Sequence, residues 1–162
     1  MGWVAAVARS GRLAAMSLPS AAEEVAVAAC GVEADFGRRD PLLAALADDL
    51  SRYFAGQPVD LGRYPVDLGG HPPFRRHALL AACEIPYGEV RTYGWVARRA
   101  GRSRGARAAG QAMSRNPIPL VIPCHRVIAA GDRMGGFGGG LEMKRALLSL
   151  EGHRCDDYGL LP

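Results

Sequence analysis

Lysine is almost missing from this chain. Lys144 stands alone among 20 basic residues, so the positive charge is carried by arginine. Cysteine is scarce as well: Cys30, Cys83, Cys124 and Cys155 lie far apart with no C-x-x-C pair, a pattern that argues against a disulfide framework and a zinc ribbon and leaves the thiols free. His71, His77, His125 and His153 fall at no spacing typical of zinc ligands, so no metal is expected. No apolar run approaches the roughly 18 residues that span a bilayer. The opening "GWVAAVA" is too short and lacks a basic leader, so neither a membrane helix nor a signal peptide is expected, and the chain is expected in the cytoplasm. The glycine run from Gly135 to Gly140 lacks the G-K-[ST] of a phosphate-binding loop.

Acidic residues are absent from one long stretch. Between Arg91 and Arg115 stand seven arginines (Arg91, Arg98, Arg99, Arg102, Arg104, Arg107, Arg115) without a single Asp or Glu; taking their +7 from the total of +4 leaves the rest of the chain at −3. One strongly basic segment on a mildly acidic body suits a polyanion such as DNA or RNA; the alternative is a solvated arginine-rich helical face. With 162 residues, 49% of them hydrophobic, the chain can bury a core, as one ordinary domain or two small ones.

Along the chain, "GWVAAVA", "RSGR" and "LAAMSL" read as a hairpin around a Ser-Gly turn. Ser20 with Glu23 makes a capping-box pattern ahead of "AEEVAVAAC", and Gly31 sits where that helix would end. Asp40-Pro41 opens a second helix, with Leu43, Leu46, Leu50, Tyr53 and Phe54 at helical spacing up to Gly56, expected to pack on the hairpin. Residues 57–73, rich in Gly, Pro and Asp, read as a connection, which places a boundary near residue 72 and domains at 1–71 and 72–162. Pro73 opens a helix with an apolar face of Phe74, Ala78, Ala81 and Ile85. Thr92 caps "YGWVARRA", Gly101 ends it, and Ser103 reads as the cap of "RGARAAGQAMSR". Two short helices about a glycine turn inside the basic segment are a helix-turn-helix candidate or an ordinary helical hairpin. Around Arg107 the second helix carries Ala106, Ala108, Ala109 and Gly110, a face of small residues with one long cation. Such a helix suits close approach to a narrow groove, with the arginine entering the base stack.

After the proline-punctuated "NPIPLVIP", Cys124-His125-Arg126-Val127 is expected at the end of an extended buried stretch, where neighbouring side chains point apart and His125 reaches Cys124 only through water. Alone, this thiol is a nucleophile or a small core residue. Glu151 ends the last helix, where the dipole disfavours an anion, so it either meets a partner such as an imidazole or is a solvated terminal glutamate.

The stretches "IPYGEVRTYGWVA", "ARAAGQAMSRNPIPLVIPCHRVI", "GGLEMKRALL" and "LEGHR" together resemble the O6-alkylguanine-DNA alkyltransferases, densely over residues 72 to 154 and only in outline before that. The resemblance implies an N-terminal α/β ribonuclease-H-like domain and a mainly α C-terminal domain with a winged helix-turn-helix. It implies Cys124 as alkyl acceptor, His125 as base through water, Glu151 orienting His125, Tyr93 as proton donor to guanine, and Asn116 tying the active turn. Arg107 becomes the finger that replaces a flipped base, and Thr92, Arg104, Ala106, Ala108, Gly110 and Arg115 join it in the DNA-contacting set. Met113, Val127 through its carbonyl, Phe137 and Gly138 shape the base pocket.

The implied partner is double-stranded DNA containing O6-alkylguanine; no cofactor is expected, nor a membrane, and a monomer is. A soft, ionised sulfur suits attack on an sp3 carbon, provided a nearby base or cation lowers its pKa. The thioether product has no carbonyl for water to attack, so no turnover is expected. Relatives often carry tyrosine where Phe137 stands and a bulkier or hydroxyl-bearing residue at Gly138, which makes the pocket roomier here. The cysteine ligands of the zinc site that some relatives carry have no clear counterparts, and Cys124 sets the chain apart from homologues with tryptophan at that place. Open alternatives are a DNA-binding regulator without chemistry, a lesion-flagging protein and a Cys-His hydrolase.

Overall fold

The computed structural model describes residues 2–31, 40–157 and 159–161. They form two compact units: the chain up to Gly69 with Pro117–Val121, and Gly70–Asn116 with Ile122 onward.

In the first unit, strands β1 (Ala6–Arg9) and β2 (Arg12–Met16) pair antiparallel, with an irregularity between Val7 and Ala8. Ser10 and Gly11 both take positive φ, +49° and +72°, as a two-residue turn matching the strand twist requires. Leu13 is fully buried beneath the hairpin. Helix α1 (Glu23–Ala29) starts differently from the capping-box expectation: its cap is Ala22, with no side-chain hydrogen bond. Ser20 is occupied elsewhere, exchanging backbone hydrogen bonds with Trp3 that lengthen the hairpin. Helix α2 (Pro41–Phe54) follows its signals, with the Asp40 carboxylate accepting from the Leu42 amide and proline in the first turn. It packs on β1 and turns Leu46, Asp49, Leu50 and Tyr53 inward.

Residues 57–69 are more than a connection, and this corrects the sequence reading. Val59, Leu61, Tyr64 and Leu68 are buried, a 3-10 turn forms at Leu61–Arg63, and Val66 bridges Leu13 in parallel. The buried Asp49 explains the pull: its carboxylate accepts from Tyr64 Oη at 2.8 Å and Arg63 Nη2 at 2.5 Å. Gly and Pro set the turns there, while interspersed apolar residues supply the burial.

In the second unit, α3 (Pro73–Cys83) buries Ala78, Leu79, Ala81 and Ala82 and packs on α4 (Tyr93–Arg99) and α5 (Ala106–Ser114). Thr92 caps α4, its hydroxyl accepting from the Trp95 amide at 3.2 Å. Ser103 caps nothing: α5 begins at Ala106 behind Gly105, so the connection runs over residues 100–105. Buried Ala97, Ala109 and Ala112 let the two helices approach closely. Cys124–Arg126 forms a 3-10 turn, not the extended segment expected, because Pro123 closes the stretch and the Arg126 amide folds back onto its carbonyl at 2.9 Å. Strand β4 (Val127–Ile128) follows and pairs in parallel with β3 (Arg91–Thr92). That short ladder sets the start of α4 beside the cysteine turn. Helix α6 (Gly140–Leu150) packs against the same turn and stops at Gly152, φ +93°.

No helix of the described residues is long and apolar enough to cross a membrane. Asp40→Ala should cost about 1 kcal/mol of stability in denaturant unfolding, with Asp40→Asn close to wild type; equal losses for both would show that the cap contributes nothing.

Candidate active site

Cys124 is 6% exposed, and its Sγ receives a hydrogen bond from Asn116 Nδ2 at 3.1 Å. The same amide donates to the Ile122 carbonyl at 2.7 Å, so one side chain just beyond α5 ties the turn that carries the thiol. His125 and Arg126 are buried in the same turn and converge on Glu151 at the end of α6. His125 Nε2 lies 2.8 Å from Oε1. Arg126 donates through Nη2 to Oε1 at 2.9 Å and through Nε to Oε2 at 2.8 Å, while its Nη1 reaches the Ile85 carbonyl at 2.8 Å. The Gly88 amide completes the set, 3.2 Å from Oε2. Gly88 holds φ +74° there, a turn geometry that glycine takes at no steric cost. Tyr87 Oη donates to the terminal Leu150 carbonyl at 2.9 Å.

Glu151 is therefore buried, and the solvated alternative is ruled out. Burial alone would raise its carboxyl, but the hydrogen bonds from His125 and Arg126 outweigh it and hold the group at about 2. Burial pushes His125 down, against the pull of Glu151, so the imidazole is neutral. With an ionised Oε1 to bond, Nε2 carries the ring hydrogen and Nδ1 is the basic nitrogen. Burial also pushes the Cys124 thiol up, opposed by the Asn116 hydrogen bond and the charge of Lys144. This corrects the expectation of a lowered thiol: desolvation of the sulfur outweighs the groups around it.

Tyr93 stands at the start of α4, its hydroxyl donating to the Gly136 carbonyl at 3.0 Å. Burial and the neighbouring Cys124 push the phenol up to about 12, so it keeps its proton. Gly135 makes room for it: a Cβ there would sit 2.8 Å from Tyr93 Cε2, at a φ of +66°. A cleft of about 630 Å³ opens between α5, with Ala106, Arg107 and Gly110, and the glycine loop, with Gly136, Phe137 and Gly138; Tyr93 forms part of its wall. Arg107 is exposed at its edge. Arg104, Arg107 and Ala108 also border a hollow over the 101–105 turn. Among the described residues none of Arg104, Arg107 and Arg115 has an acidic partner, whereas Arg91 pairs with Glu89 and Arg99 with Glu84. The Arg115 carbonyl accepts from Arg75.

Met113 and Val127 are buried rather than on the cleft surface. The Val127 carbonyl accepts from Lys144 Nζ at 2.6 Å. Sequence reasoning assigned no role to three residues that the structure brings to this neighbourhood: Arg126, Lys144 and Gly88. The signals were slight: an arginine following Cys-His, and the single lysine of an arginine-rich chain. Among the described residues no three His, Cys, Asp or Glu side chains cluster as a metal site.

Replacing Glu151 by Gln leaves the buried Arg126 guanidinium without its counter-charge, and should cost about 3 kcal/mol in unfolding at pH 7. The carboxyl is depressed from 4.5 to about 2, so its contribution is complete above pH 4.5 and disappears as pH falls toward 2. The gap between wild type and Glu151→Gln should therefore close over that window in acid unfolding; a gap independent of pH would contradict the ionised carboxylate.

Residues 73–153 match the family model described as 6-O-methylguanine DNA methyltransferase, DNA binding domain. The methylated-DNA–protein-cysteine methyltransferase of Mycobacterium tuberculosis is 45% identical over 108 residues, 67% of this chain, and the match spans 64% of that relative's length. That of Methanopyrus kandleri is 47% identical over 112 residues, 68% of this chain and 81% of the relative. The Mycobacterium tuberculosis OGT solved in complex with DNA superposes with a TM-score of 0.69 at 34% identity, covering 91% of this chain and 85% of that one. A Methanococcus jannaschii O6-methylguanine DNA methyltransferase superposes at 0.67 with 26% identity, covering 98% and 93%. With the thiol-bearing half of its sequence and its two-unit fold both shared with these proteins, the chain belongs to the O6-methylguanine-DNA methyltransferase family.

Proposed function

We propose that the protein repairs double-stranded DNA by direct, irreversible transfer of an alkyl group, methyl above all, from O6 of guanine to Cys124, one group per molecule, with the damaged base turned out of the duplex. The observation that carries this reading is the convergence on one turn of a thiol, the Asn116 amide that grips it, and a neutral His125 seated on an ionised Glu151. A buried thiol pushed upward is protonated in the absence of DNA, so its ionisation belongs to the reaction itself. His125 takes the sulfur's proton through water, the sulfur bonds to the alkyl carbon, and the carbon–O6 bond breaks. Tyr93 supplies a proton to the departing guanine and regains one from the imidazolium side; the net transfer is of the thiol proton to guanine.

The arginine segment and the small-residue face of α5 support the DNA side of this reading. Thr92, Arg104 and Arg115 contact phosphates, Ala106, Ala108 and Gly110 allow the helix close to the groove, and Arg107 fills the place of the extruded base. The cleft beside Phe137 and Gly138 receives that base, with Met113 and Val127 behind it. In this reading the first unit is the ribonuclease-H-like α/β domain and the second the winged helix-turn-helix, divided near residue 72. The α4–α5 pair flanked by the β3–β4 ladder supports the latter. The protein works as a cytoplasmic monomer without cofactor.

Incubation with duplex bearing O6-methylguanine with a labelled methyl should load label onto protein in a burst that ends at one equivalent; continuous release of product would replace this reading with a hydrolase. Arg107→Ala should slow the reaction on duplex roughly tenfold or more, the scale of a lost contribution to base extrusion, while leaving reactivity toward the free modified base intact. An unchanged duplex rate would remove the finger role.

A further inference from the structure

Arg75 sits in the first turn of α3, where the dipole of its own helix disfavours a cation and no acidic residue offsets it. The side chain is half-buried, and its Nε is shielded from solvent with no hydrogen-bond partner among the described residues. Burial and the charge of Arg115 both work against the guanidinium. One contact favours the position: Nη2 donates to the Arg115 carbonyl at the end of α5. Helix α5 has no basic residue in its own last turn, so the cation that suits its C-terminal dipole comes across from α3. The same charge stands at the unfavourable end of one helix and the favourable end of the other.

The Arg115 carbonyl belongs to the peptide that carries the Asn116 amide. Planarity makes the two turn as one unit, and the Asn116 amide in turn donates to the Met113 carbonyl at 3.2 Å. The side chain of Asn116 leaves from that held peptide, donating to the Ile122 carbonyl at 2.7 Å and to Cys124 Sγ at 3.1 Å. Between Arg75 and the sulfur there are thus two hydrogen bonds and one step along the chain. Phe74, next to Arg75, lies under the Arg102 guanidinium at 5.1 Å, in the turn that leads into α5. Consecutive residues of α3 therefore hold both the approach to α5 and its exit. Tyr93 and Lys144 bear on the thiol from α4 and α6, and the substitutions below leave both in place.

We propose that Arg75 is a positioning residue for alkyl transfer that acts through Asn116: by holding the Arg115 carbonyl it fixes the peptide from which the Asn116 side chain departs, and so the direction of the amide that grips the Cys124 sulfur. The inference rests on the alkyl-acceptor reading of Cys124 for its place in the reaction. The aim of the amide at the sulfur is measured without DNA, so failure of one reading is distinguishable from failure of the other.

Arg75→Met keeps the aliphatic stem and removes every donor, while Arg75→Gln restores a donor without the charge. In 15N-labelled Arg75→Met the side-chain amide resonances of Asn116 should move. The pH midpoint for modification of Cys124 by methyl methanethiosulfonate, read by peptide mass, should rise by about half a unit, a roughly threefold loss of thiolate at fixed pH. Arg75→Gln should return both close to wild type. Single-turnover transfer from duplex bearing O6-methylguanine should slow by the same factor at saturating DNA, with the duplex concentration at half-saturation unchanged. Unmoved Asn116 resonances or an unmoved midpoint in folded Arg75→Met would overturn the proposal. So would Arg75→Gln behaving as Arg75→Met does, which assigns the effect to the lost charge, or weaker duplex binding with an unchanged limiting rate, which makes Arg75 a phosphate contact. If the methionine variant does not fold, Arg75→Gln decides alone: wild-type resonances and midpoint uphold the proposal, and displaced ones overturn it.

Discussion

One carboxylate organises the chemistry of the second unit. Glu151 accepts from His125, from Nε and Nη2 of the Arg126 guanidinium and from the Gly88 amide, and so joins the end of α6, the cysteine turn and the loop after α3. A buried carboxylate is tolerated only when such donors replace its water, and each donor is held in turn: Arg126 by the Ile85 carbonyl, Gly88 by its left-handed turn. The consequence is a neutral imidazole with a defined tautomer next to the thiol. Arg126 contributes the neutralising charge that lets His125 remain uncharged.

The thiol itself is held in reserve. Desolvation keeps it protonated, while Asn116 and Lys144 oppose that effect from two directions. Tyr93 retains its proton for the same reason, burial, and rests on the Gly136 carbonyl until something better occupies the cleft. The thiol, His125 and Tyr93 are thus in their uncharged forms, beside the charged Glu151–Arg126 pair and Lys144. The arrangement favours a reaction triggered by a substrate that expels water and brings its own dipoles.

Much of this was legible in the residues, for identifiable reasons. The hairpin, α2 and α4 carry local signals, a Ser-Gly turn, Asp-Pro and a threonine cap, and each formed where those signals stand. Ser20 and Ser103 carry equally good cap signatures and were overruled, Ser20 by backbone pairing with Trp3 and Ser103 by a helix that starts only at Ala106. The cysteine turn was misread as extended because the proline-punctuated run before it continues the pattern of an extended segment, whereas Pro123 closes that run and the Arg126 amide bonds back to its carbonyl. Cys124, His125, Tyr93, Asn116 and Glu151 were identifiable from the motif. Arg126, Lys144 and Gly88 were not, since a buried charge and a backbone donor aimed at it are defined by what surrounds them. The open space at Gly136 and Gly138, where a Cβ would meet nothing closer than 3.9 Å, likewise emerges only from the folded loop.

The account rests on the sulfur of Cys124 becoming the new bearer of a carbon released by a purine. The most direct measurement is intact mass and peptide mapping of the wild-type protein after incubation with duplex containing a single O6-methylguanine. The account predicts one added methyl group on the peptide carrying Cys124 and unmodified guanine in the recovered DNA; an unaltered Cys124 peptide, or a methyl group on Cys30, Cys83 or Cys155 instead, would contradict it.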